Sequence, residues 1–358
     1  MTTPRLRFRA DGTFRILQLT DLHLREVKSE LNQQTIGMIR DLIRRETPDL
    51  IAFTGDVSCD GDPEKMLARL TELLEDVEQF GIPYTYTLGN HESDGMDVLD
   101  RPSILADYLT KRPLCLLDPG DRSLGMGNYM VPVYRSDSDR MAWALYHLDC
   151  HSSKHPYEFR PGEPVDWDAA VTHAQIDWLV KTHRKLQESY GVLPSILFDH
   201  VPLPEYNDVW MFDGVYGDRG EKVCCAPVNT GLFEALLRLR DFRGVFCGHD
   251  HSNSYAGTML GILLAYGRCT GNLQWCLWPK DHALQCEAER QPLTGERKYD
   301  YFKRGGRVIV LDETSGRIAD TYNALEGGTI DRGEFARPPF ERFDFFDVDA
   351  SAFPRSAQ

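Results

Sequence analysis

Apolar and polar positions along this 358-residue chain switch repeatedly between a period of two and a helical period. Residues 5–20 alternate about Asp11-Gly12, which predicts a hairpin. Ile36, Ile39, Leu42 and Ile43 then follow at helical spacing, which predicts a helix over 30–46 that Pro48 ends. The apolar run Leu50–Thr54 predicts a buried strand. Asp62-Pro63 opens a second helix that runs to Phe80 and closes at Gly81. A strand over 83–88 comes next, followed by a helical stretch over 97–110. Strands are predicted at Tyr129–Tyr134 and 141–148, then a long helix at 168–189 and a strand at Ser195–Phe198. Residues 202–227 read as an irregular loop. A helix over 229–240 leads into the strand Phe242–Cys247, and further strands are expected at 255–266, 306–312 and 316–322.

Such strand–helix alternation predicts an α/β fold in one layered domain. The domain is expected to span 1–325, with 271–304 as a surface insertion and 326–358 as a C-terminal tail packed on it. Both segments are rich in charge, glycine and proline.

Composition narrows the partners. The chain is 42% hydrophobic, with 17 Phe, 15 Tyr and 6 Trp, so it can bury a sizeable core. A net charge of −15 counts against nucleic acid as the main partner, because such proteins carry a basic face. No apolar run approaches the roughly 18 residues of a membrane span, and the first residues lack the apolar stretch of a secretory signal. A soluble, cytoplasmic protein is the expectation. Nine cysteines without regular spacing fit reduced thiols better than a disulfide framework.

The chemistry is concentrated where strands end. Five times an apolar strand gives way at once to metal-ligand residue types: Asp21 and His23, Asp56, Asn90 and His91, His200, and His249 and His251. Loops at the carboxyl ends of strands in α/β sheets converge on one rim. Histidines at i and i+2 leaving a strand project to the same side. Singly, an Asp after a strand is usually a turn or helix cap, and a lone His an ordinary polar residue. Repetition at every strand end is what carries the reading.

In order, Asp21-x-His23, Gly55-Asp56, Gly89-Asn90-His91-Glu92, His200 and Gly248-His249-x-His251 resemble the signature of the calcineurin-like metallophosphoesterases. Three further stretches resemble its purple-acid-phosphatase-like, or Dcr2-like, subgroup: 200–206, Tyr266-Gly267-Arg268 with Gly271, and the strand at 306–310. The resemblance implies a four-layer αββα sandwich, two central mixed β-sheets flanked by helices. It also implies two divalent or trivalent metal ions, iron, zinc or manganese, roughly 3.5–4 Å apart. Asp56 would bridge them, with Asp21, His23 and His251 completing one site and Asn90, His200 and His249 the other. That donor set mixes nitrogen and oxygen without thiolate. His91 is implied to contact phosphate and assist the leaving oxygen, and Glu92 to orient its neighbours. Glycines before Asp56, Asn90 and His249 fit sharp strand-to-loop turns.

The implied reaction is hydrolysis of a small phosphorylated substrate by a hydroxide that two metals activate. Phosphomonoesters come first, and phosphodiesters such as a cyclic nucleotide or a lipid headgroup are the alternative. A non-catalytic scaffold of the same fold is a further reading, although no ligand position is lost; a nuclease fits the acidic charge poorly. Arg268 is a candidate phosphate contact.

Two departures from relatives matter. Purple acid phosphatases carry a metal-binding tyrosine three residues after the bridging Asp, where this chain has Cys59, so no purple chromophore is expected. Residues 57–62 also lack the arginine of the protein Ser/Thr phosphatases. Other candidates read as structural. His151 and His155 lie four apart, but Pro156 follows directly and makes a helix there unexpected, so they read as loop residues, and Cys224-Cys225 reads as two thiols rather than a redox pair. Cys269, Cys276 and Cys286 lack the pairing of structural zinc. Trp275 and Trp278 read equally well as a border of the substrate mouth or as an apolar cover.

Overall fold

A computed structural model describes residues 4–25, 27–58, 62–93, 100–151, 158–160, 163–164, 171–272 and 303–336. Among these, two mixed sheets dominate. One has nine strands, in the spatial order Leu6–Arg7, Tyr129–Tyr134, Met141–His147, Ser195–Phe198, Phe242–Cys247, Ile262–Tyr266, Ala256–Met259, Val215–Tyr216 and Phe335–Ala336. The other has six: Ile330–Asp331, Ile318–Leu325, Gly305–Asp312, Thr13–Leu19, Leu50–Thr54 and Tyr84–Thr87.

Period-two alternation explains how the sheets stack. In the nine-stranded sheet, Trp143, Leu145, Ile196, Phe198 and Phe246 join the same core cluster as Leu17, Leu19 and Phe53 of the other sheet. Their neighbours Ala144, Tyr146, Leu197, Val245 and Cys247 point the opposite way, into a second core with Leu179, Leu236 and Tyr206 from helices. Helices Glu30–Glu46 and Pro63–Val77 cover the six-stranded sheet through Ile39, Leu42, Leu70 and Leu74. The result is the expected αββα sandwich. Burying both faces of each sheet is why these strands are nearly continuous in apolar residues.

Local signals set most boundaries. Ser29 caps the first helix by accepting from Asn32 N, and Thr47 ends it in the left-handed region just before Pro48. Asp62 caps the second, with Pro63 at its first position. Thr172 and Gln175 form a reciprocal capping box at the start of His173–Tyr190.

Two expectations are corrected. The Asp11-Gly12 turn forms, closed by Gly12 N donating to Arg9 O and Arg9 N to Thr13 O, both at 2.9 Å, but the pairing stops there and the two strands part into different sheets. Leu6–Arg7 runs parallel to Val133 and Tyr134 in one sheet, while Thr13–Leu19 lies between Gly305–Asp312 and Leu50–Thr54 in the other. Long-range partners outcompete the local hairpin. Within 202–227, Glu205–Phe212 is a helix and Val215–Tyr216 a short strand. Eight residues after two prolines give little periodic signal; packing of Tyr206, whose hydroxyl donates to Val245 O at 2.9 Å, supplies the rest.

The start of the C-terminal tail reaches both sheets, through Ile330–Asp331 and Phe335–Ala336. Residues 273–302 of the expected insertion, with Cys276, Cys286, Trp275 and Trp278, lie outside the described residues, as do Cys59 and His155. Among the described residues, no helix is long and apolar enough to cross a membrane.

Candidate metal centre

The five strand-end loops converge. Asp21, His23, Asp56 and His251 present donor atoms that all lie within 4.8 Å of one another, and Asp56, His200 and His249 form a second such set. Asp56 belongs to both. Its Oδ2 is 3.2 Å from His200 Nε2 and 3.7 Å from His23 Nε2. His251 Nε2 lies 3.6 Å from Asp21 Oδ1 and 3.0 Å from His23 Nε2. Asn90 Oδ1 is 3.1 Å from His200 Nε2, which places its amide oxygen with the second set.

Backbone geometry accounts for this convergence. Asp21, His23, Asp56 and His249 all have positive φ, at 54°, 47°, 53° and 73°, a conformation non-glycine residues adopt at a cost that functional sites tolerate. Main-chain bonds hold the turns together: Asp21 N donates to Gly55 O, His23 N to Asp56 O, and Gly271 N to Asp21 O. Gly89 is required for space, because a Cβ there would collide with the Asp56 carboxylate. At Gly55, with φ of 93°, a Cβ would run into the His200 ring.

A surrounding layer of hydrogen bonds aims the donors. His200 Nδ1 donates to the Thr54 carbonyl at 2.7 Å, which makes Nε2, facing Asp56, the nitrogen that would bind a cation once the ring loses its proton. His249 N donates to both oxygens of Asp21 at 3.1 Å. Glu92 is fully buried, and its carboxylate gathers four donors: Asp56 N, Val57 N, Gly89 N and the Tyr86 hydroxyl, at 2.7–3.0 Å. It orients the Asp56 and Asn90 loops and is no ligand itself. Asp250 likewise faces away, accepting from Tyr266 Oη at 2.6 Å and Asn253 Nδ2 at 3.1 Å.

Charges in the cluster are strongly perturbed. Burial alone would raise Asp56, but His200, His91 and His23 outweigh it and hold the carboxyl well below its usual range. Burial, then repulsion from His251, lowers His23 to about 3. His200 goes the other way: burial opposes its charge, yet Asp56 and Asp21 push it up to about 10.

The donor chemistry fits cations. Two carboxylates, an amide oxygen and four imidazoles gather their donor atoms in one cluster, with His23 Nε2 and His251 Nε2 at 3.0 Å sharing a proton in the absence of a cation. Carboxylate and imidazole suit iron, zinc or manganese.

His91 stands apart from the ligands. Its backbone N donates to Asp56 Oδ1 at 2.9 Å, its Nε2 is 4.0 Å from Asp56 Oδ2, and its side chain is 40% exposed on the open side of the cluster. Arg268, the candidate phosphate contact, is 4% exposed, and its Nε donates to the Lys303 carbonyl at 2.6 Å.

The structural readings of the other candidates agree with their surroundings. His151 bonds Gln175 Oε1 at 3.0 Å, inside the network that caps His173–Tyr190. Cys224 and Cys225 are separate thiols. Three contributors went unpredicted: the Thr54 carbonyl, the Tyr86 hydroxyl on Glu92, and the Tyr266–Asp250 bond. The first is backbone and leaves no trace in residue type. Tyr86 looked like one more buried strand residue, whereas Tyr266 stood in a recognised motif without an assigned role.

Comparison with known proteins points the same way. The family model described as calcineurin-like phosphoesterase matches residues 14–253. The chain is 30% identical over 296 residues to "Probable inactive purple acid phosphatase 29" of Arabidopsis thaliana, covering 74% of this chain and 73% of that one. It is 28% identical over 293 residues to "Phosphatase DCR2" of Saccharomyces cerevisiae, covering 74% and 49% respectively. In fold it is similar to a dimetal phosphatase from Danio rerio, with a TM-score of 0.50 at 14% identity over 90% of this chain and 98% of that one. Signature, sandwich and family match agree: the chain belongs to the calcineurin-like phosphoesterases, hydrolases that act on phosphoric ester bonds.

Proposed function

We propose that this chain is an active, two-metal phosphomonoesterase acting on a small phosphorylated substrate. The observation that carries the reading is Asp56, whose carboxylate is shared by both donor sets while exposed His91 borders them. Asp21, His23, Asp56 and His251 would hold one cation, and Asp56, Asn90, His200 and His249 the other. When bound, such a pair polarises the phosphoryl oxygen and lowers the pKa of a water.

The chain's own residues supply the rest. Asp56, fixed by Glu92 behind its backbone and by His91 N at its Oδ1, keeps the two sets in register. His91 contacts the phosphate from the open side and holds a proton at Nε2 for the departing oxygen. Neither Asp250 nor Glu92 takes part directly.

The word "inactive" in the name of the Arabidopsis relative raises the alternative of a scaffold. All seven ligand positions are filled here by competent donors, which supports activity. Turnover of para-nitrophenyl phosphate and of bis-para-nitrophenyl phosphate, paired with elemental analysis, tests this. Two metals per chain with the monoester preferred is expected. Preference for the diester would move the substrate class, and no turnover of either by the metal-loaded chain would favour the scaffold.

A further inference from the structure

A second polar cavity lies between the two sheets, away from the ligand set. It encloses about 330 Å³ and is lined by Tyr216, Ser254, Thr258, Arg307, Asn323 and Arg332, among others. That volume falls within the range of small-molecule sites and far exceeds one water.

Its wall carries a buried cation. Arg307 is 3% exposed, and burial lowers its guanidinium to about 10, so it stays charged at neutral pH. Its Nε donates to the Tyr266 carbonyl, Nη2 to Ser254 O at 2.9 Å, and Nη1 to Thr321 Oγ1 at 3.1 Å. A guanidinium offers five N–H groups, so two still seek acceptors. Among the described residues Arg307 makes no ion pair, whereas Arg332, the cavity's other cation, is paired with Asp320 at 2.9 Å. Asp331, also on the wall, has Oδ1 engaged by Gly333 N at 2.8 Å. Asp331 attracts Arg307 at longer range without closing a salt bridge, and an arriving anion would lower the cost of the buried charge further.

Beside it is an unmet acceptor. Asn323 is the direct cross-strand neighbour of Arg307, is 3% exposed, and its Oδ1 has no hydrogen-bond partner. Arg307, with N–H groups to spare, and Asn323, with an amide oxygen lacking a partner, thus both line the cavity as cross-strand neighbours.

We propose that this cavity binds a small oxyanion, carboxylate or phosphate, that also carries a hydroxyl: the anionic end pairs with Arg307 and the hydroxyl donates to Asn323 Oδ1. None of the seven candidate metal ligands lines this cavity.

Calorimetric titration of the full-length, metal-loaded protein with inorganic phosphate and, separately, with malate tests it and distinguishes the two sources. Because phosphate also meets the metal centre, the reading is the difference between wild type and Asn323→Asp, which sets an internal carboxylate opposite Arg307. The variant should bind phosphate, malate or both at least tenfold more weakly at one site, with metal content unchanged. Thr258→Glu brings a carboxylate into the cavity from an exposed strand position, should act the same way, and guards against misfolding of the first variant. Identical titrations of wild type and both variants with both anions would overturn the proposal, as would binding at the metal centre alone.

Discussion

The Thr54 carbonyl accepts from His200 Nδ1 across 2.7 Å, so a main-chain atom one residue before Gly55-Asp56 decides which imidazole nitrogen faces the cluster. His200 Nε2 is thereby presented to Asp56 and Asn90. His200→Ala should leave the first ligand set whole and weaken the second. Elemental analysis should find about one metal per chain where wild type holds two, with turnover lowered at least a hundredfold. Full metal content in the variant would remove His200 from the ligands.

His91→Ala separates chemistry from metal binding. The residue is 40% exposed and bonds Asp56 through its backbone, which the substitution keeps. Metal content should match wild type, while kcat for the monoester falls by roughly 10²–10⁴, the usual worth of a positioned acid. Metal loss in the variant would make His91 a ligand instead.

Glu92→Ala would strip the common acceptor from Asp56 N, Val57 N, Gly89 N and Tyr86 Oη. Groups left unsatisfied in a buried site cost about 1–3 kcal/mol each before water or relaxation compensates. Calorimetry should show a lower Tm. Metal titration should show affinity weakened by about 10–100-fold, as for other supporting residues around metals. Wild-type values for both would leave Glu92 without the role assigned to it.

Acidity and metal uptake are linked through His200. Without cations its pKa is raised to about 10 in the folded chain, against an ordinary value near 6.5. A raised histidine stabilises the cation-free fold fully below about 6.5, and that contribution is lost as pH rises through about 10. A cation needs the neutral ring, so uptake near neutral pH must expel the proton, and apparent affinity should climb with pH across this window. Zinc titration in weak buffer should release about one proton per chain or more from this cluster. An uptake without proton release would contradict the charge state described.

Much of this architecture was legible in the sequence because its signals are local. Ligand residue types sit directly after apolar runs, so Asp56 or His251 is visible without knowing its partners. Glu92 was readable from its place in the motif. What escaped depends on distant chain. Residues 6–7 and 13–19 look like two arms of one hairpin until the strands at 129–134 and 305–312 compete for them. The Glu205–Phe212 helix is held by Tyr206 in a pocket built from other strands. The bond from Arg268 Nε to Lys303 O likewise joins residues 35 apart and leaves no local signal.

The most direct test of the account is the metal-to-chain ratio of Asp56→Asn measured beside wild type, with monoester turnover followed on the same samples. Asp56 is the residue common to both donor sets. Wild type should hold two metals per chain, and the variant should lose nearly all of both and its turnover with them. A variant that keeps two metals and normal turnover would contradict it.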